Sequence, residues 1–173
     1  MVYFRTDILP LKDVLFRLAL RIVQSREEAE DVVQETMLKL WERRDQWEEI
    51  QNIEGFAMTI CRNLSLDHLK RLDNQHASLE EESQLSNLNS QLSSPFEHAV
   101  SQDRIAIVRQ IIDALPEKQR SCVQLRDIEG KAYKDIATIL SISEEQVKVN
   151  IFRARQTIRQ RFQQMDNFKK ESG

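Results

Sequence analysis

From Ser25 to Trp41 the chain reads SREEAEDVVQETMLKLW, and the spacing of its apolar residues admits one backbone conformation. Ala29, Val32, Val33, Thr36, Met37, Leu40 and Trp41 fall at i, i+3, i+4, i+7, i+8, i+11 and i+12. That is a stripe along one side of a helix, not the alternation of a half-buried strand. Ser25 and Glu28 have the form of a capping box, in which the serine hydroxyl accepts from the third helical N–H and the glutamate turns back to the serine N–H. The same period precedes this segment in Val14, Leu15, Leu18, Ala19, Ile22 and Val23. It follows again in Ile53, Phe56, Ala57, Ile60, Cys61 and Leu64, within a helix expected over about Ile53 to Leu72. Three such stripes close a small bundle core. With 3 Gly and 3 Pro in 173 residues there is little material for the turns of a many-stranded sheet, so the expected class is all-α.

Between Leu72 and Pro95 the chain reads LDNQHASLEEESQLSNLNSQLSSP, rich in Ser, Asn, Gln and Glu, with leucines too sparse to bury a face. This is the composition of a flexible polar linker between two helical domains. A solvated helix within one continuous fold is the other reading. The linker reading divides the chain into a domain at 1–72, a linker at 73–95, a second domain at 96–168 and a polar tail at 169–173. In the second domain Pro95 opens a helix expected to reach Leu115. Pro116 suits the first turn of the next helix, which ends near Glu129 and Gly130 with Gly as its C-terminal cap. A short helix is expected over Tyr133–Leu140, and a longer one from after Ser143 toward Phe162.

Charge is distributed unevenly along these parts. Residues 1–72 hold 11 basic and 13 acidic side chains, residues 73–95 none and 4, and residues 96–173 hold 14 and 11. The net charge of −3 therefore conceals a basic second domain, and Gln146–Phe162 carries Lys148, Arg153, Arg155, Arg159 and Arg161 without an acid. Local field, not global charge, indicates the partners. No run of 18 uncharged apolar residues is present, so membrane insertion is not expected. The start MVYFRTDILPLKD has an early acid and a proline and lacks the apolar core of a secretory signal, so a cytoplasmic protein is expected. Cys61 and Cys122 lie inside apolar helical patterns and read as buried thiols of a reducing compartment rather than a disulfide. His68, His76 and His98 show no metal-ligand spacing. No nucleophile–base pair, phosphate loop or metal cluster is evident, and no catalytic, metal or cofactor site is expected.

The segment YKDIATILSISEEQVKVNIFRAR, Tyr133–Arg155, has the layout of a helix-turn-helix. Ile136, Ala137 and Leu140 face inward, Ser141-Ile142-Ser143 makes the turn with Ile142 toward the core, and Ser143 with Gln146 forms a second capping box. Val147, Ile151, Ala154 and Ile158 occupy i, i+4, i+7 and i+11 and are core. Lys148, Val149, Phe152, Arg153, Arg155 and Gln156 are left outward. A helix fits the major groove, where Arg and Lys reach phosphates or guanine edges and apolar groups touch thymine methyls. Phe152 packs against DNA or against a neighbouring helix. Two residues depart from the common pattern, Ser141 where glycine is frequent at the turn and Ala132 where Ser or Thr often caps. Each costs on the order of 1 kcal/mol. A one-component regulator with a helical sensor or dimerisation domain shares this motif. So does a helical enzyme or scaffold that offers the basic helix to acidic proteins.

The first domain offers two further candidate faces. Asp31, Gln34, Glu35, Leu38 and Glu42 lie opposite the core stripe of their helix. Acids around an exposed leucine suit a partner with basic side chains and an apolar groove, or are an ordinary solvated face. Arg62, Asn63, Asp67, Lys70 and Arg71 cluster off the next stripe, with cations for phosphates and an Asn63 amide able to hydrogen-bond an unpaired base. Trp47, in the loop between, is either a stacking surface for a flipped base or core.

SREEAEDVVQETMLKLW resembles the region 2 helix of bacterial sigma factors that docks on the RNA polymerase clamp. IEGFAMTICRNLSLDHLKR, Ile53–Arg71, resembles the helix that handles the −10 promoter element, and LPEKQRSCVQLRDIEGKAYKDIATILSISEEQVKVNIFRARQTIR, Leu115–Arg159, resembles region 4, which reads the −35 element. Regions 2 and 4 joined by a short polar segment, without a region 3 domain, are the arrangement of the extracytoplasmic-function (ECF) group. The resemblance implies core RNA polymerase (clamp helices and flap) and promoter DNA as partners, and an anti-sigma factor as a regulator. It assigns Asp31, Gln34, Glu35, Leu38 and Glu42 to docking, Arg62, Asn63, Asp67, Lys70 and Arg71 to the −10 element, and the outward residues of the last helix to the −35 element. The loop before Ile53 departs from the family's commoner pattern in Glu48 and Glu49, as does Glu54.

Overall fold

The structure is a computed structural model that describes residues 1–79 and 100–173, with side chains described for 1–76 and 103–173. Helices account for its regular structure, and no strand occurs among the described residues. Two compact units result, one built mainly on the helices before residue 80, with Thr138–Leu140 grouped with it, and one on the rest of those after residue 99.

In the first unit a π-helical turn, Phe4–Ile8, and a short 3₁₀ turn, Leu9–Leu11, lead into α1 (Lys12–Val23). Next come α2 (Arg26–Glu42), a 3₁₀ turn at Arg44–Glu49, and α3 (Ile53–Leu79). The three long helices pack on one another. Leu15, Leu18, Ala19 and Ile22 of α1, Ala29, Val32 and Leu40 of α2, and Ala57, Met58 and Cys61 of α3 are buried together. Each large side chain among them contributes roughly 1.5–3 kcal/mol on leaving water. The Cys61 thiol donates to Leu15 O at 3.4 Å, and burial pushes its pKa up to about 12. Both cysteines are buried and neither is in a disulfide.

Several expectations are corrected here. Trp41, assigned to the core stripe of α2, is 47% exposed. Trp47 takes the inner place instead: it is buried, and its indole Nε1 donates to Leu40 O at 2.9 Å. Phe4 and Trp41 meet Trp47 edge-on or stacked around it. Trp47 is therefore core rather than a surface for a flipped base. The inner face of α3 is turned about one residue from the expected one. Met58, Cys61, Arg62 and Ser65 stand at i, i+3, i+4 and i+7 and are buried, while Ile53, Phe56 and Ile60 are half-buried. Polar side chains fit inside because they find partners; Ser65 Oγ, for example, donates to Cys61 O at 2.8 Å. α3 is also longer than expected. Residues 73–79, placed in the linker, are helical, because Asp73–Leu79 contains no Gly or Pro to stop the helix. The rest of the proposed linker, 80–95, and the expected helix start at Pro95 lie outside the described residues.

The second unit comprises α4 (Val100–Asp113), α5 (Glu117–Val123) continued by a π-helical turn to Ile128, α6 (Tyr133–Leu140) and α7 (Glu144–Glu171). α7 packs on α4 and α5. Ile112, Leu115, Val123 and Ala154 form the buried cluster there, with Val108 and Ile158 against it. Pro116 is the residue just before α5 rather than within its first turn. Arg120 Nη1 donates to Asp113 O at 3.0 Å, satisfying a carbonyl left open at the end of α4. Gly130, at φ 71°, ends the α5 segment as expected. α7 runs past Phe162, so all but the last two residues of the expected polar tail are helical. No helix among the described residues is long and apolar enough to cross a membrane.

Candidate nucleic-acid and partner interfaces

The start of α7 is set by a capping box and by the turn before it. Ser143 Oγ accepts from Gln146 N at 3.1 Å, and Gln146 Oε1 accepts from Ser143 N at 3.0 Å, a closed capping box. Just before it, Ile142 N donates to Ala137 O at 3.0 Å, with Ser141 in the left-handed region at φ 55°. This is the 6→1 bond of a Schellman motif, with serine where glycine is usual. Ile136 and Leu140 are buried, and Ala137 and Ile142 half-buried. Val147, Ile151 and Ala154 are buried inward along α7.

With that face fixed, the helix leaves Lys148, Val149, Phe152, Arg153, Arg155 and Gln156 exposed. Phe152 is 68% exposed and covers no core. The face thus carries three cations, two apolar groups and an amide. One cation is already engaged: Arg155 makes a two-pronged pair with Asp127, its Nε donating to Oδ2 at 3.2 Å and its Nη2 to Oδ1. Lys148 and Arg153 are exposed with no such pair among the described contacts.

In the first unit, Asp31, Gln34, Leu38 and Glu42 are exposed along the outer side of α2 and Glu35 is half-exposed. Leu38 is 63% exposed and Trp41 joins it on the same side. On α3, Asn63, Asp67, Lys70 and Arg71 are exposed at i, i+4, i+7 and i+8, one continuous face. Arg62, expected with them, is buried at 7% exposure.

Two residues with local consequences were not anticipated as such. Asn52 caps α3, its Oδ1 accepting from Gly55 N at 2.9 Å; Asn directly before the apolar period was the available signal. His68 is buried on α3 and faces α2, its Nδ1 2.6 Å from a Glu28 carboxylate oxygen and its Nε2 3.1 Å from one of Glu35. Glu28 is therefore not the returning arm of a capping box, although Ser25 Oγ still accepts from Glu28 N at 3.4 Å. Burial alone would lower the His68 pKa, but the hydrogen bonds to Glu28 and Glu35 outweigh it and hold the pKa above the ordinary 6.5. No sequence signal short of the packing of α2 on α3 identifies this bridge.

A family model for sigma-70 region 2 matches residues 8–75, and one for sigma-70 region 4 matches residues 105–158. The RNA polymerase sigma-H factor of Pseudomonas aeruginosa is 31% identical over 161 residues, spanning 88% of this chain and 83% of that protein. The ECF RNA polymerase sigma factor SigW of Bacillus subtilis is 26% identical over 160 residues, 89% of this chain and 86% of its own. Among solved structures, the sigma factor RpoE of Bartonella quintana, in complex with the anti-sigma factor NepR, is similar at a TM-score of 0.70. Its identity is 20% and the match covers 92% of this chain and 96% of RpoE. CnrH, in complex with the cytosolic domain of CnrY, is similar at 0.56 and 20%, over 84% and 79%. These two likenesses concern the fold. Both matched regions stand in order on one chain, and the chain belongs to the ECF group of the sigma-70 family, as a transcription initiation factor for promoter recognition with core RNA polymerase and promoter DNA as its partners.

Proposed function

We propose that this sigma factor divides its work among three faces. The outer side of α2, with Asp31, Gln34, Glu35, Leu38 and Glu42, docks on the polymerase clamp. The exposed row of α3, with Asn63, Asp67, Lys70 and Arg71, lies along the opened −10 strand, where cations meet phosphates and the Asn63 amide meets an unstacked base. The α7 face enters the −35 major groove, Lys148 and Arg153 toward phosphates or guanine edges and Val149 and Phe152 toward thymine methyls. The observation that supports this most is the outward placement of Phe152 and Arg153 on a helix whose start is closed by a capping box.

The protein makes no covalent chemistry of its own; it supplies position. Two modest footholds on one chain reinforce each other through effective concentration. The acidic balance of residues 1–95 disfavours DNA binding by the free protein, so polymerase is the gate to the promoter, and the work is cytoplasmic. RpoE was solved with the anti-sigma factor NepR, and a protein of that kind is proposed as the regulator here.

The test is run-off transcription with core enzyme and this protein, paired with a core-polymerase binding assay. Asp31→Lys with Glu35→Lys should abolish polymerase binding while helicity is retained. Arg153→Ala should leave polymerase binding intact and weaken −35-dependent initiation by about 5–150-fold, the cost of one good base-pair contact at about 1–3 kcal/mol. Unchanged polymerase affinity in the first variant would remove α2 as the docking face.

A further inference from the structure

The Glu28–His68–Glu35 bridge joins two faces to which different work has just been given. His68 belongs to α3, three residues before Arg71 and one after Asp67, while Glu35 belongs to the docking row of α2. Both ring nitrogens lie within hydrogen-bond distance of a carboxylate oxygen, at 2.6 and 3.1 Å. A neutral imidazole has one N–H and cannot donate twice, so with both glutamates ionised only the imidazolium donates to both. We propose that His68 is a positioning residue for polymerase docking: donating from both nitrogens, it holds Glu35 in place on the α2 face and ties that helix to α3. The inference rests on α2 being the docking face.

The physical reason lies in preorganisation. A glutamate free to rotate loses side-chain entropy when a partner fixes it, and one already held loses little. Glu35 keeps 42% of its side-chain surface exposed while it is held, so it remains available to a partner's basic group. Glu28 is less exposed, at 28%, and makes the shorter bond. A His68 that loses one proton keeps its N–H on Glu28 and releases Glu35. The charged groups that act on His68 are Glu28 and Glu35, both from α2. Docking is therefore tightest while His68 is charged and weakens as pH rises through its raised pKa.

The measurement is the dissociation constant for core polymerase against pH, from about 6 to 9, for the unaltered full chain, Glu28→Gln and His68→Gln. The unaltered chain should lose about three- to tenfold in affinity across that range. Glu28→Gln removes the nearer carboxylate without touching the docking row, so the loss should occur at lower pH. His68→Gln should bind at the weak limit throughout. Parallel profiles for the unaltered chain and His68→Gln overturn the proposal, as does a Glu28→Gln profile that superimposes on that of the unaltered chain. Should His68→Gln fail to fold, the imidazole Cε1–H resonance in the full chain decides: His68 should titrate above the ordinary 6.5, and lower in Glu28→Gln. Titration of His68 at or below the ordinary 6.5 sinks the bridge. The Asp31→Lys, Glu35→Lys variant separates the layers. If it still binds polymerase, the docking face is wrong; if it does not bind while the His68 profiles coincide, only this inference fails.

Discussion

Ser25–Glu28 and Ser143–Gln146 read SREE and SEEQ, nearly the same instruction for starting a helix, and the two halves of the molecule carry it out differently. Ahead of α7 both arms close, serine on glutamine N–H and glutamine on serine N–H. Ahead of α2 the serine arm is long, at 3.4 Å, and the glutamate arm is absent, because Glu28 has turned to His68 forty residues away. An exposed N-terminus with no competitor keeps its local bonds. One that packs against a third helix offers its carboxylate a charged, buried partner, and a charge-assisted bond is roughly twice as strong as a neutral one. Region 4 therefore presents a reading helix whose start is set locally, whereas region 2 trades a local cap for a tie between helices.

The largest effect that probes this contrast comes from beneath α7. Ile151 is 2% exposed and inward, and Ile151→Ala should cost about 2–5 kcal/mol through lost burial and the cavity left. Amide exchange in α5 and α7 should accelerate accordingly. If it does not, the capping box alone sustains the helix and packing contributes less than the burial implies.

The caps come next in size. Ser143→Ala removes both arms of a closed box and should cost about 1 kcal/mol. Ser25→Ala removes one long bond and should cost clearly less, about half that or under. Chemical denaturation of the full chain, followed by exchange at the amides of each helix start, reads both. Equal costs, or the reverse order, would break the comparison.

The same contrast explains what could be read from the residues. The bounds of α6, Tyr133–Leu140, and the start of α7 after Ser143 follow from turn and cap chemistry within a few residues, and they stand as expected. The apolar period also placed the three helices of region 2. It erred where a side chain's fate depends on another element. Trp41 and Trp47 are equally apolar, and only the approach of Phe4 and the hydrogen bond to Leu40 O place Trp47 inside. Ser65 and His68 are polar by composition yet buried, because Cys61 O and the α2 carboxylates accept from them. Arg62 follows them inward, so one of five residues marked for the −10 strand does not lie on the exposed row. The turns at Phe4–Leu11 carry no periodic signal at all.

The smallest effect concerns the turn between α6 and α7. Ser141 stands at φ 55°, a region that costs a side-chain-bearing residue of order 1 kcal/mol and costs glycine nothing sterically. Glycine loses more chain entropy on folding, which offsets part of that gain. Ser141→Gly should thus stabilise region 4 by about 0.5 kcal/mol, read as a rise of roughly 2–4 °C in the melting of its helices. Gln24 ends α1 in the same conformation, at φ 57°, and provides the control. Gln24→Gly relieves the same strain beside a helix start that has already given up its local cap, so its gain should appear in region 2 and leave α7 unchanged. A loss of stability in Ser141→Gly would mean that the serine side chain contributes more to the turn than its backbone strain costs, and the Schellman geometry would then be held by more than the Ile142–Ala137 bond.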